Sequence, residues 1–181
     1  AETSTGSLGQ GFSFAVGAAL GLRLQQRPGR VHVMLGDGEL QEGESWEAAM
    51  CAAHHALDNL CAVVDYNRMQ SDDWNRNIMA VEPLAEKWPA FGWHVEQVDG
   101  HSFPALRAAY AAARAARGRP AVVVAETRKG RGVSLMEGSP AWHGSVTLRP
   151  HELRAALADL GVGADEAARL EDGTGWGDDR R

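Results

Sequence analysis

The sequence predicts an α/β protein built on a parallel sheet with helices on both faces. Three observations predict it. Short apolar runs alternate with stretches of helical periodicity, which implies crossover connections between parallel strands. The runs V-H-V-M-L, L-C-A-V-V-D and A-V-V-V-A-E are nearly continuous in apolar side chains, as expected of strands covered on both sides. Polar loops at Gly36–Gly38 and Asp65–Met69 follow two of these runs, the position where such sheets hold ligands.

The elements follow in order. The chain opens on A-E-T-S-T-G-S-L-G-Q-G, a glycine loop with no strand ahead of it and no initiator Met, so a preceding part of the fold is expected to be missing. Gly9–Leu24 reads as a small-residue helix, with Phe12, Ala15, Val16, Ala19 and Leu20 on one face. Arg30–Leu35 reads as a short buried strand stopped by Gly36. A helix is expected over Glu42–Leu57, its apolar face made by Trp46, Ala49, Met50 and Ala53, and a strand over Leu60–Asp65. Asn67–Val81 is polar and reads as a loop, Pro83–Phe91 as a short helix and His94–Val98 as a strand. Phe103–Arg117 is an alanine-rich helix and Ala121–Glu126 the last strand. Thr127–Pro150 has little periodicity, and His151–Leu160 reads as a modest amphipathic helix. Residues 1–160 are therefore expected to form the domain, and 161–181, acidic and rich in Gly, a flexible tail.

Composition narrows the function. At 181 residues the chain has the length of one domain and can bury a core without staples. Cys51 and Cys61 lack metal-ligand spacing, and nothing near the start resembles a signal peptide, so a reduced, cytoplasmic setting is expected. A net charge of −6 with no basic stripe argues against nucleic acid, and no apolar run is long enough to span a bilayer.

The residues that carry chemistry lie in the loops. Asp37 sits between glycines directly after a strand, and Asn67 follows the next strand. Each reads singly either as a turn former or as a metal ligand. Together, at matching positions after successive strands, they offer hard oxygen ligands to one magnesium ion, and enzyme-bound magnesium usually holds a phosphate as well. Gly6, Ser7 and Leu8, ahead of a helix, present backbone N–H groups suited to a phosphate oxygen, or simply form a capped turn. Lys129 in R-K-G-R-G and His143 in W-H-G fall on the irregular stretch after the last strand. A lysine there can place charge on phosphate and a histidine can relay protons, although a surface charge and a loop contact to Trp142 read equally well. The adjacent His54 and His55 point in different directions on a helix and do not chelate one ion; Asp72, Asp73, Glu86 and Lys87 read as surface residues.

Assembled in order, T-G-S-L-G-Q-G, L-G-D-G-E-L-Q-E-G with W-E-A-A-M, L-D-N-L with D-Y-N-R-M-Q-S-D, F-G-W-H-V with V-D-G-H-S, and K-G-R-G with W-H-G resemble the N-terminal, diphosphate-binding half of transketolase. The resemblance runs from about Thr5 to Pro150 and implies a thiamin-diphosphate-binding fold holding thiamine diphosphate through Mg2+, or Ca2+ or Mn2+ in its place. It implies side-chain oxygens from Asp37 and Asn67 and the backbone carbonyl of Met69 as metal ligands. Gly6, Ser7, Leu8, Gly36, Gly38 and Asn67 would line the cofactor, Gly38 donating its N–H. Lys129 and His143 would reach the diphosphate, His143 also acting in catalysis as a proton relay. Glu42 and Glu47 match acidic positions at the interface between two active sites, and also suit the helix dipole.

The half that covers the aminopyrimidine ring is not recognisable, so the resemblance is to the smaller subunit of a split transketolase. It implies a C-terminal, pyrimidine-domain partner, a heterotetramer of two copies of each chain, and ketol transfer between sugars or sugar phosphates. A 2-oxo-acid dehydrogenase first component, a deoxyxylulose-phosphate synthase and a non-catalytic cofactor-binding subunit are the alternatives.

Overall fold

The computed structural model describes residues 2–144 and 146–171, and the chain divides into two compact units, residues 1–69 with 74–127 and residues 70–73 with 128–181. In the first unit a four-stranded parallel sheet is formed by β1 (Val31–Gly36), β2 (Leu60–Tyr66), β3 (His94–Asp99) and β4 (Ala121–Glu126), in the order β1-β2-β4-β3. Its helices are α1 (Gln10–Leu24), α2 (Gly43–His54), α3 (Asn75–Ile78), α4 (Leu84–Ala90) and α5 (Phe103–Ala115).

The two central strands show why the sequence folds this way. Side chains alternate across a pleated strand, so Leu60, Ala62, Val64 and Tyr66 of β2, with Val122 and Val124 of β4, enter one core. Cys61, Val63, Ala121, Val123 and Ala125 enter the other. The first core contains Phe12, Ala15, Val16 and Ala19 of α1, the small residues Ala48, Ala49 and Ala52 of α2, and Trp88 of α4 beside Trp93. Phe12 meets Trp93 edge to face at 5.7 Å, and Trp88 and Trp93 lie 5.0 Å apart. The second core is covered by Ala109 and Ala113 of α5.

Several sequence expectations need correcting. β1 is buried on one side only. Val31, Val33 and Leu35 face the first core, but His32 and Met34 are exposed, because α5 packs mainly over β3 and β4 and touches β1 only at its edge, where Tyr110 meets the His32 ring at 6.0 Å. On α2 the expected Ala49 is buried, Trp46 and Ala53 pack partly buried on the same core, and Ser45, Ala48 and Ala52 join them, but Met50 is exposed; a 3-10 turn at Gly38–Gln41 precedes the helix. The polar stretch after β2 contains α3 and an antiparallel bridge between Met69 and Trp74. Lys87 is more than a surface charge: its Nζ donates to the Val81 carbonyl at 2.6 Å and lies over the Trp46 ring.

The second unit contains a 3-10 turn at Pro140–Trp142, α6 (Pro150–Asp159) and α7 (Ala164–Glu171). Its loop closes on itself: the Gly138 N–H donates to the Lys129 carbonyl at 2.9 Å, and Arg128 pairs with Glu137 at 2.9 Å. Gly130, at φ 70°, has no room for a side chain, since a Cβ there would lie 2.6 Å from that of Met136. α6 packs on α7, with Arg154 paired to Glu171 at 3.1 Å, and Asp159 accepts from the Ser134 N–H and hydroxyl. A helix thus stands where a flexible tail was expected from residue 161, and residues 172–181 of that expectation lie outside the described residues.

Candidate functional site

The parallel register sets Gly36 of β1 beside Asp65 of β2, and Tyr66 of β2 beside Glu126 of β4. The residues that follow, Asp37, Asn67 and Thr127, therefore leave the sheet along the same carboxyl edge. The ladder continues past the strands, with the Asp37 N–H donating to the Asp65 carbonyl at 3.3 Å and the Thr127 N–H to the Tyr66 carbonyl at 3.2 Å.

Asp37 is buried, 1% exposed, and its carboxylate accepts from the N–H of Gly38 at 2.9 Å and from the N–H of Arg68 at 2.5 Å. The second bond depends on Arg68 adopting the left-handed conformation, φ 65°, which a non-glycine residue holds only when its surroundings repay the cost. The Arg68 guanidinium itself lies over the Tyr66 ring and pairs with Glu126 at 3.0 Å. Among the described residues no lysine or arginine pairs with Asp37. Burial, partly offset by those N–H bonds and by the Asn75 amide, pushes its pKa up to about 6, and the neighbouring Asp65 adds to the rise.

Asn67, also buried, is held in one orientation. Its Nδ2 donates to Asp65 Oδ2 at 3.2 Å, and its Oδ1 accepts from the Met69 N–H at 2.9 Å. Asp65 is in turn fixed by the Thr127 hydroxyl, which donates to its other oxygen. The amide oxygen keeps a second lone pair for a ligand. Met69 is buried and its bridge to Trp74 fixes the backbone that carries its carbonyl.

The glycine loop is tied to the same edge by a residue that sequence reasoning passed over. Glu39 accepts from the Gly9 N–H through Oε1 at 2.9 Å and from the Gly36 N–H through Oε2 at 3.0 Å, one carboxylate spanning the start of α1 and the end of β1. A Glu three positions after a strand-ending glycine, reaching back to its N–H, was the available signal, similar to the reciprocal cap of a helix start. Gly9 stands at φ 86°, and Gly6, Ser7 and Leu8 before it are exposed. The Gly38 N–H, expected on the cofactor, is engaged by Asp37. Glu42 and Glu47 are exposed around the start of α2, and so are His54 and His55 at its end.

The first unit thus brings Gly6–Leu8, Gly36, Asp37, Gly38, Asn67 and Met69 to one edge. Lys129 and His143 belong to the second unit. Lys129 is half-buried and, among the described residues, its ammonium pairs with no carboxylate; His143 follows the 3-10 turn and donates its N–H to the Pro140 carbonyl at 2.9 Å.

A divalent cation fits what the first unit offers. The donor set is a buried carboxylate with no cationic partner, an oriented amide oxygen and a backbone carbonyl, all hard oxygens. Among the described residues no group of three or more His, Cys, Asp and Glu could hold a metal, so a softer, nitrogen- or sulfur-rich site is not an alternative there. No helix among the described residues is long and apolar enough to cross a membrane.

Comparison with known proteins places the chain in a family. The family described as transketolase, thiamine diphosphate binding domain, matches residues 1–172. The chain is 45% identical over 159 residues to a 6-deoxy-6-sulfo-D-fructose transketolase subunit of Clostridium sp. (strain MSTE9), covering 88% of this chain and 58% of that protein. It is 38% identical over 159 residues to an apulose-4-phosphate transketolase subunit of Actinobacillus succinogenes, covering 88% of this chain and 57% of the relative. The chain therefore spans a little over half the length of these two relatives. Among solved structures, the transketolase of Campylobacter jejuni superposes with a TM-score of 0.81 at 27% identity, over 96% of this chain and 29% of that one.

Proposed function

Since the chain belongs to the transketolase family of thiamine diphosphate-binding domains, we propose that it provides the metal- and diphosphate-holding half of a transketolase active site and works as one subunit with a separate pyrimidine-domain partner. The observation that carries this reading is Asp37: a buried carboxylate at the carboxyl edge of a parallel sheet, without a cationic partner, beside an Asn67 whose amide is held by Asp65. Mg2+ would be held by Asp37, Asn67 and the Met69 carbonyl. Bound thiamine diphosphate supplies the electron sink that lets a two-carbon ketol unit pass from a ketose to an aldose. Lys129 would place positive charge on the diphosphate, and His143 would donate to it and hold a proton near the transferred group. Gly6, Ser7 and Leu8 line the cofactor in this reading. Glu42 and Glu47 face a second active site in an assembly of two copies of each chain.

Two relatives bearing the name transketolase subunit support a divided enzyme, and the oxygen donor set supports magnesium. A cytoplasmic setting suits sugar phosphates and the two unpaired cysteines. The test is reconstitution. The chain by itself should show no ketol transfer, and adding its pyrimidine-domain partner with thiamine diphosphate and Mg2+ should restore it on a panel of ketose donors and aldose acceptors. Turnover by the chain alone would end the split-subunit reading.

A further inference from the structure

Asn75 stands out among the buried polar residues. It is 0% exposed, and neither its Oδ1 nor its Nδ2 has a hydrogen-bond partner of ordinary geometry. A carboxamide sealed from water without partners is costly, so its position calls for a reason. The backbone gives one. The Asn75 N–H donates to the Arg68 carbonyl at 2.9 Å, while the Arg68 N–H donates to Asp37, and the Met69–Trp74 bridge closes the same loop. This folds residue 75 back toward the turn whose Arg68 N–H holds the Asp37 carboxylate.

We propose that Asn75 is a positioning residue for the metal site: its Nδ2–H completes the set of donors that aims the Asp37 carboxylate at the divalent cation. The Gly38 and Arg68 N–H groups fix the carboxylate from the backbone, and Asn75 supplies the side-chain donor that closes on it when the cation draws the carboxylate into place. Outer partners of this kind orient a ligand and raise metal affinity by about ten- to a hundredfold. The inference rests on the magnesium assignment above and adds a residue to it.

Mn2+ titration followed by electron paramagnetic resonance, on the full-length protein with saturating thiamine diphosphate, tests the proposal without reference to turnover. Asn75→Leu keeps the branched heavy-atom shape, with somewhat larger volume, and removes both polar atoms. It should leave the thermal midpoint of the metal-free protein unchanged or higher, since an unsatisfied buried amide is gone, while the Mn2+ dissociation constant rises about ten- to a hundredfold. An Mn2+ constant within twofold of wild type in folded Asn75→Leu overturns the proposal and leaves Asn75 a packing residue. Should that variant not fold, Asn75→Ala is read by the same criterion. Asp37→Ala separates the two claims: loss of Mn2+ there with normal binding in the Asn75 variants rejects only the positioning role, whereas normal binding in Asp37→Ala rejects the magnesium assignment and the positioning role together.

Discussion

Relative to a variant that cannot titrate at residue 37, the metal-free protein should lose stability as pH rises from about 4 to 6. The Asp37 carboxyl titrates near 3.8 in an unfolded chain and at about 6 in the fold, because burial disfavours the charged form more than the Gly38 and Arg68 N–H bonds favour it. The folded protein therefore holds this proton more tightly than the unfolded chain does. The stability it contributes is fully present below pH 3.8 and lost as pH rises through 6. A difference of about two pH units corresponds to about 3 kcal/mol at neutral pH, a large share of an ordinary domain's stability. The comparison is with Asp37→Asn, which cannot titrate. Its absolute stability is a poor readout, because the new NH2 faces a backbone N–H and loses one bond worth about 1–3 kcal/mol. Its pH dependence is clean. Urea midpoints of the metal-free proteins between about pH 4 and 8 should show wild type losing about 3 kcal/mol relative to Asp37→Asn, most of it between about pH 4 and 6. Mg2+ with thiamine diphosphate should recover the loss in wild type alone. Parallel pH curves for the two proteins would refute the reasoning, because they would mean that Asp37 is not the buried, unpaired carboxylate on which the metal site depends.

Other outcomes follow from the same geometry. Lys129→Ala and His143→Ala should each weaken thiamine diphosphate about tenfold to a hundredfold by calorimetric titration, the worth of one charge-assisted bond, while the exposed His54→Ala changes nothing; equal effects from all three would indicate general destabilisation. Glu39→Gln turns one of its two oxygens into a donor facing an N–H, and should lower stability by about 1.5–3 kcal/mol in denaturant titration as the glycine loop detaches from β1. A thiol reagent at about pH 8 should label the exposed Cys51 and spare Cys61, whose burial pushes its thiol up to about 11, with mass spectrometry of the peptides as the check.

Much of the molecule was determined by the sequence alone, for local reasons. Short apolar runs define the strands, helical spacing defines α1, α5 and α6, and glycine beside aspartate at a strand end points to the edge proposed to hold the ligand. These signals need no knowledge of distant residues. The family's ordered segments single out Asp37, Asn67 and Met69, the residues proposed to hold the metal.

Only the tertiary structure decided which faces are covered and which polar groups are left over. β1 reads as buried in the sequence, yet His32 and Met34 are exposed because α5 lies mainly over β3 and β4 and meets β1 only through Tyr110. Met50 fits an apolar stripe, but the core takes Ala48, Ala49 and Ala52 from α2 and leaves Met50 exposed. Glu39, Asp65 and Asn75 are ordinary polar residues in the sequence. Glu39 and Asp65 acquire partners 30 and 62 positions away, Gly9 and Thr127, and Asn75 is buried by the fold with its amide unpaired. Spacing along a chain records periodicity within an element, whereas the orientation of a carboxylate is set by whatever donors the fold delivers from elsewhere, and those donors exist as a set only once the chain has closed around them.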